Sequence, residues 1–131
     1  MRCLVRVVDI ASRFPAVALE YQSTMTCQQE GVDLSKVEFF FHPTNDAWCR
    51  DHGPAFLINP ALDIKKVIVD WNYNAWGNKY PPYDLDDVIP TLIGKHFNIP
   101  VYNPGIVMEG GSVEFNGNGT VMTSTACLEP I

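Results

Sequence analysis

Two acidic residues, 58 positions apart, carry the strongest chemical signal in the chain. Asp51 lies in "NDAWCRDHGPAF" (residues 45–56), directly after the apolar run Val37–Phe41. It follows Arg50 and precedes a Gly53-Pro54 break. A carboxylate held by a rigid turn at the end of a strand can be aimed into a cleft. The same residue can be a turn aspartate that bonds its own backbone. Trp48 and Arg50 beside it tip the balance toward a site, because a turn needs neither. Glu109 lies in "VMEGGSVEF" (residues 107–115), ahead of two glycines that allow another backbone to come close. A bulge at the start of a hairpin would use the same residues.

Between these two segments runs "DWNYNAWGNKYPPY" (residues 70–83). Aromatic rings on a loop can present π faces to a cation, or form a small core beneath the loop. Trp71 is expected in the core, and Trp76 stays open to either role. Asp84, Asp86 and Asp87 suggest a metal cluster, but their spacing fails the calcium-loop pattern. Acids in the first turn of a helix, favoured by its dipole, explain them better. His42, His52 and Cys49 fit no zinc frame. His52 reads as structural and His96 as a helix-end residue. No metal or other cofactor is expected.

The elements that must position these residues alternate between strand and helix. Leu4–Ala11 is ambiguous between the two. Pro15 ends what precedes it. Val17–Tyr21 reads as a strand, and Thr24–Glu30 as one or two helical turns closed by Gly31. Val37–Phe41, Pro54–Asn59 and Lys66–Trp71 read as strands. Residues 84–97 form an apolar stripe of Leu85, Val88, Ile89, Leu92, Ile93 and Phe97. A start at an Asp87 cap puts Pro90 in the first turn, where it is tolerated. Val101–Tyr102 is a short strand. Gly111–Phe115 and Thr120–Ser124 flank "NGNG", a hairpin signal. The fold class is α/β with hairpins (α+β in part), and the helix between strand pairs hints at a ββαβ unit.

At 131 residues and 47% apolar, the chain suits one domain with a real core. A formal charge of −6 argues against nucleic acid and anionic membranes and suits a small cationic substrate. No apolar run is long enough to span a bilayer, and no basic-then-apolar leader is evident, so a cytoplasmic location is expected. Cys3, Cys27, Cys49 and Cys127 show no CxxC pair and are expected as free thiols.

Three stretches resemble the agmatine deiminase and bacterial-type (Porphyromonas-type) peptidylarginine deiminase family. They are "PTNDAWCRDHGPAF", "VDWNYNAWGNKYPPYDLDD" and "VMEGGSVEFNGNGTVMTSTACL", with "GVDLSKVEFF" ahead of them. The resemblance implies a partial pentein fold, an α/β propeller of which about two ββαβ units fall within a single partial domain, residues 1–131. It implies hydrolysis of a guanidinium group with release of ammonia. In such enzymes a cysteine thiolate attacks the guanidinium carbon and a histidine moves protons. Agmatine would become N-carbamoylputrescine, on a route to putrescine. By resemblance Asp51 and Glu109 are the catalytic carboxylates, and Trp48, Trp76, Asp46 and Arg50 the substrate-binding residues. Glutamate before the paired glycines favours the agmatine branch. The family's His-x-Asp and its late, glycine-flanked nucleophilic cysteine match no segment here. The piece is therefore expected to be inactive alone, with a homo-oligomer possible for the full-length enzyme. The alternatives are a non-catalytic piece that binds a cation or a partner, a peptidylarginine deiminase, and a fragment with no ligand.

Overall fold

The computed structural model describes residues 16–124, with side chains from residue 21. The expectation for Leu4–Ala11 and the residues Cys3 and Cys127 lie outside this range. The chain divides into two compact units at Ala47/Trp48. In the first unit, α1 spans Ala16–Gln29. Helix thus replaces the strand expected at Val17–Tyr21. A five-residue apolar run cannot distinguish the two by periodicity, and here it continues without a break into the helix-forming "QSTMTCQQ". A 3₁₀ turn, Leu34–Lys36, follows, with Asp33 capping it through Ser35 N–H at 3.1 Å. No strand is present at Val37–Phe41, although Val37 is extended (φ −105°, ψ 136°). β-branched and aromatic content favours a pleated surface, but a strand also needs a neighbour in register.

The second unit begins with the single turn α2 (Cys49–His52). Strands β1 (Ala55–Ile58) and β2 (Lys66–Val69) pair antiparallel, with Ala55 opposite Val69. After the short turn α3 (Ala75–Asn78) come α4 (Asp84–Asp87) and α5 (Ile89–Phe97). Strand β3 (Val101–Tyr102) then returns parallel to β2, giving the order β1-β2-β3. This is a ββαβ unit. A second hairpin, β4 (Val113–Phe115) with β5 (Val121–Thr123), turns through the expected Asn-Gly-Asn-Gly segment.

Pro90 falls at the start of α5, as the helix-start argument requires, although the capping position is Val88 rather than Asp87. Asn98 ends the helix in the left-handed conformation (φ 50°). The core joins sheet to helix: Ile68, Ile89 and Ile93 are almost completely buried, with Val69, Tyr73, Ala75 and Val113 around them. Gly94 lets α5 lie close to the sheet, since a Cβ there would strike Val101 and crowd the Ile99 carbonyl oxygen. No helix among the described residues is long and apolar enough to cross a membrane.

Candidate active site

Asp51 sits on α2, whose last amide, on Gly53, closes back on the Cys49 carbonyl at 3.0 Å. Glu109 immediately precedes a 3₁₀ turn, Gly110–Ser112, that leads into β4. That turn replaces the bulge considered at this point. The two segments meet. The Gly111 N–H donates to Asp51 Oδ1 at 3.0 Å. A Cβ at Gly110 would strike the Arg50 carbonyl oxygen, and one at Gly111 would strike Asp51 Oδ1. Gly110 is thus needed for the close approach of the two backbones, and Gly111 leaves room for the Asp51 carboxylate, in line with the close-approach reading of the paired glycines. The first carboxylate is thereby brought up against the segment that carries the second.

Glu109 is buried, and burial pushes its carboxyl above the ordinary glutamate value. The charge of Asp51 adds to the rise. Backbone N–H groups of Trp76 and Asn74 and the Lys79 ammonium oppose it. The Trp76 N–H to Glu109 Oε1 distance is 2.8 Å. Two neighbouring carboxylates, one of them costly to ionise, make a site that gains from a bound cation.

The third component is α3, which is wound left-handed. Ala75, Trp76, Gly77 and Asn78 all have positive φ (50°, 55°, 78° and 61°). Its amides are tied off: Gly77 N–H to Asn74 Oδ1 at 2.8 Å, Asn78 N–H to the Asn74 carbonyl at 2.7 Å, and Lys79 N–H to the Ala75 carbonyl at 3.1 Å. Tyr83 Oη also donates to Asn78 Oδ1 at 2.7 Å. Left-handed backbone costs an ordinary residue roughly 1–2 kcal/mol, so these contacts and the burial of Ala75 hold a conformation that Ala and Trp would not choose. The result points the Trp76 amide at Glu109 and places its ring edge-to-face with Trp48 (centroids 5.8 Å apart), Tyr73 (6.0 Å) and Tyr80 (5.7 Å).

Trp48 is 52% exposed and lies at the start of α2, beside the segment bearing Asp51. Asp51, Glu109, Trp48 and Trp76 are therefore gathered in one neighbourhood. Arg50 is there too, but its guanidinium is engaged with protein: Nε donates to the Gly110 carbonyl at 3.1 Å, and Nη2 to the Val113 carbonyl at 3.5 Å and Glu114 Oε1 at 3.0 Å. Asp46 belongs to the first unit, where its carboxylate accepts the Ala47 N–H at 2.7 Å.

Other polar groups sit beneath the site. His52 and Asp86 are buried together, Nε2 to Oδ1 4.0 Å, with Tyr73 edge-on to the imidazole at 5.6 Å. Asp87 Oδ1 accepts the Tyr73 N–H at 2.7 Å, and Asp70 Oδ2 accepts Thr91 Oγ1–H at 2.7 Å. Burial raises the Asp70 carboxyl. Asp86 and Asp87 thus do more than complement a helix dipole: Asp87 ties down the aromatic loop at Tyr73, and Asp86 is buried beside His52. Asn74 and Lys79 also went unnoticed, having no signal beyond their place in that loop. The buried aromatic is Tyr73, at 3% exposure, while Trp71 is half-buried. Cys49 is a thiol whose pKa is raised by burial and by Asp86, so it lacks the thiolate character a nucleophile needs.

These features have counterparts in known proteins. The chain matches the Porphyromonas-type peptidyl-arginine deiminase family over residues 1–130. It is 35% identical to the agmatine deiminase of Pseudomonas syringae pv. tomato over 102 residues, covering 74% of this chain and 27% of that protein. The structure aligns with the agmatine deiminase of Enterococcus faecalis at 32% identity and a TM-score of 0.65, over 92% of this chain and 31% of that one. It aligns with a substrate-bound agmatine deiminase of C. jejuni at 32% identity and a TM-score of 0.64, over 94% of this chain and 33% of that one. The chain thus spans about a third of the length of these relatives. With its ββαβ unit and following hairpin, it is part of a pentein fold, and it belongs to the Porphyromonas-type peptidyl-arginine deiminase family.

Proposed function

We propose that this chain is the N-terminal part of one deiminase domain of the agmatine type, and that it supplies the carboxylate and aromatic side of a guanidinium site. The observation that carries the reading is the junction of Asp51 with the Glu109–Gly111 segment through the Gly111 amide. A guanidinium is planar, permanently charged, and offers N–H groups in a fork that carboxylates match. Asp51 and Glu109 accept from different edges of that fork and balance its charge. Trp48 and Trp76 cover its flat faces and the attached methylenes.

The full reaction is the one the family resemblance implies. A cysteine thiolate adds to the guanidinium carbon, a C–N bond breaks, ammonia leaves with a proton supplied by histidine, and water releases N-carbamoylputrescine, a precursor of putrescine. Asp51 and Glu109 serve here by holding the carbon in place and stabilising the positive charge. No residue of this chain matches the family's nucleophile, so binding and turnover separate in it. The agmatine reading is supported by the glutamate that precedes the paired glycines, as the family resemblance implies, and by agmatine deiminases among the relatives at 35% and 32% identity. A "putative peptidyl-arginine deiminase" aligns at 32% as well, so identity alone does not separate the branches. A cytoplasmic setting suits the free thiols of Cys27 and Cys49.

Calorimetry with agmatine tests the reading. The chain is expected to bind it, and Asp51→Asn to weaken binding at least ten-fold, about 1.4 kcal/mol. Equal affinity in the variant, or no heat with the unsubstituted chain, would overturn it.

A further inference from the structure

Arg50 immediately precedes Asp51, and its side chain reaches across to residues 60 or more positions away. The Nε–H donates to the Gly110 carbonyl at 3.1 Å, and the two hydrogens of Nη2 serve the Val113 carbonyl at 3.5 Å and Glu114 Oε1 at 3.0 Å. One residue on, Asp51 accepts from Gly111 N–H. Successive side chains of α2 therefore grip opposite polarities of one backbone, a carbonyl by the arginine and an amide by the aspartate. The two backbones are so close there that a Cβ on Gly110 would strike the Arg50 carbonyl oxygen.

We propose that Arg50 is a positioning residue: it clamps the Gly110–Val113 backbone against α2 and so sets the spacing between Asp51 and Glu109, without contacting the ligand. The proposal rests on the guanidinium-binding reading above. Three of the five N–H donors that an arginine offers are committed to this backbone and to Glu114. A second guanidinium facing a cationic ligand would repel it, whereas one turned onto carbonyl oxygens does not compete for the two carboxylates. The Glu114 pair is exposed on both sides and its charge is screened by water. The clamp is therefore assigned to the directional hydrogen bond to the Gly110 carbonyl at 3.1 Å, with the longer 3.5 Å contact to the part-buried Val113 carbonyl beside it. Arginine suits this task because its planar fork addresses two acceptors at once, which an ammonium cannot.

The test uses the whole chain with Arg50→Gln and Arg50→Lys. Amide hydrogen exchange reads the clamp directly. Protection of the Gly111 N–H is expected to fall at least ten-fold in Arg50→Gln and to be partly restored in Arg50→Lys, with Ile68 and Ile93 amides unchanged as the check on folding. In calorimetry Arg50→Gln is expected to lose agmatine affinity about ten-fold and to lose preference for agmatine over 1,4-diaminobutane, since a loosened carboxylate pair no longer fits a planar fork. General destabilisation would weaken both ligands alike. Unchanged Gly111 protection, or tighter agmatine binding in Arg50→Gln, would overturn the proposal; the second result would place Arg50 against the ligand. If the unsubstituted chain binds no guanidine, the functional reading fails, and Gly111 exchange still decides the clamp.

Discussion

Glu109 is buried with its pKa raised, so the folded chain holds that proton more tightly than the unfolded chain does. The sign follows by linkage. Its contribution to stability is greatest below the ordinary glutamate value, and is lost as pH rises through the raised folded value. Above that, the ionised carboxylate is a net cost that a bound cation offsets. Glu109→Gln keeps an oxygen for the Trp76 N–H and removes the charge. It is expected to raise the melting temperature of the unliganded chain at neutral pH and to weaken agmatine binding ten-fold or more. Binding to the unsubstituted chain should strengthen as pH rises through the raised value and flatten beyond it. Thermal melts and a calorimetric pH series check this. A variant that melts lower, or binding that is flat across the acidic range, would contradict it. Cys49 belongs at the same scale: sequence could place a thiol in the motif, and only the fold supplies the burial and the neighbouring Asp86 that raise its pKa and disfavour the thiolate.

Among the elements, α3 carries the most strain. Four consecutive positive φ values hold Trp76 where its amide meets Glu109. Gly77 is the one member of the turn that adopts this backbone freely. Gly77→Ala is expected to lower the unfolding free energy measured in urea by roughly 1–2 kcal/mol and to weaken agmatine binding, because the Trp76 amide moves away from Glu109. Gly117→Ala serves as the control. Gly117 is also left-handed (φ 70°), with open space around it, in the β4–β5 hairpin turn. It should lose similar stability and keep its affinity. Equal loss of binding in both variants would mean that α3 has no special link to the site. The glycine and asparagines of "NYNAWGN" are compatible with unusual backbone, yet nothing in the string dictates four such residues in succession around a tryptophan. Burial of Ala75 and the hydrogen bonds that Asn74 accepts make that choice.

The chain covers about a third of its relatives, and its described residues carry one ββαβ unit and a hairpin. Its sheets leave large apolar side chains in contact with water, among them Leu57, Ile58, Phe115 and Met122. The isolated 131 residues are expected to bind agmatine without releasing ammonia, since a reaction by covalent catalysis loses nearly all its rate without the thiolate and its proton partner. A coupled ammonia assay at saturating agmatine checks this. Steady turnover would show that the chain holds a nucleophile not assigned to it.

Periodicity and turn chemistry were enough for the ββαβ order, the apolar face of α5 and the Asn-Gly hairpin, because each is set by neighbours within a few positions. The family motifs were legible too, and with them the glycine pair that lets Asp51 approach. Context outside each short segment decided the rest. Val17–Tyr21 joined a helix because flanking residues extended it, and Val37–Phe41 formed no strand. Asp86 became a buried neighbour of His52, and Asp87, half-buried, became the acceptor for the Tyr73 N–H, rather than both being solvated helix acids. A local string specifies which conformations its residues tolerate; which of them is occupied depends on burial, hydrogen-bond partners and charge brought from elsewhere in the chain. That is why Glu109 could be picked out as a candidate from its glycines, while its raised pKa and its hold on Trp76 emerged only from the folded arrangement.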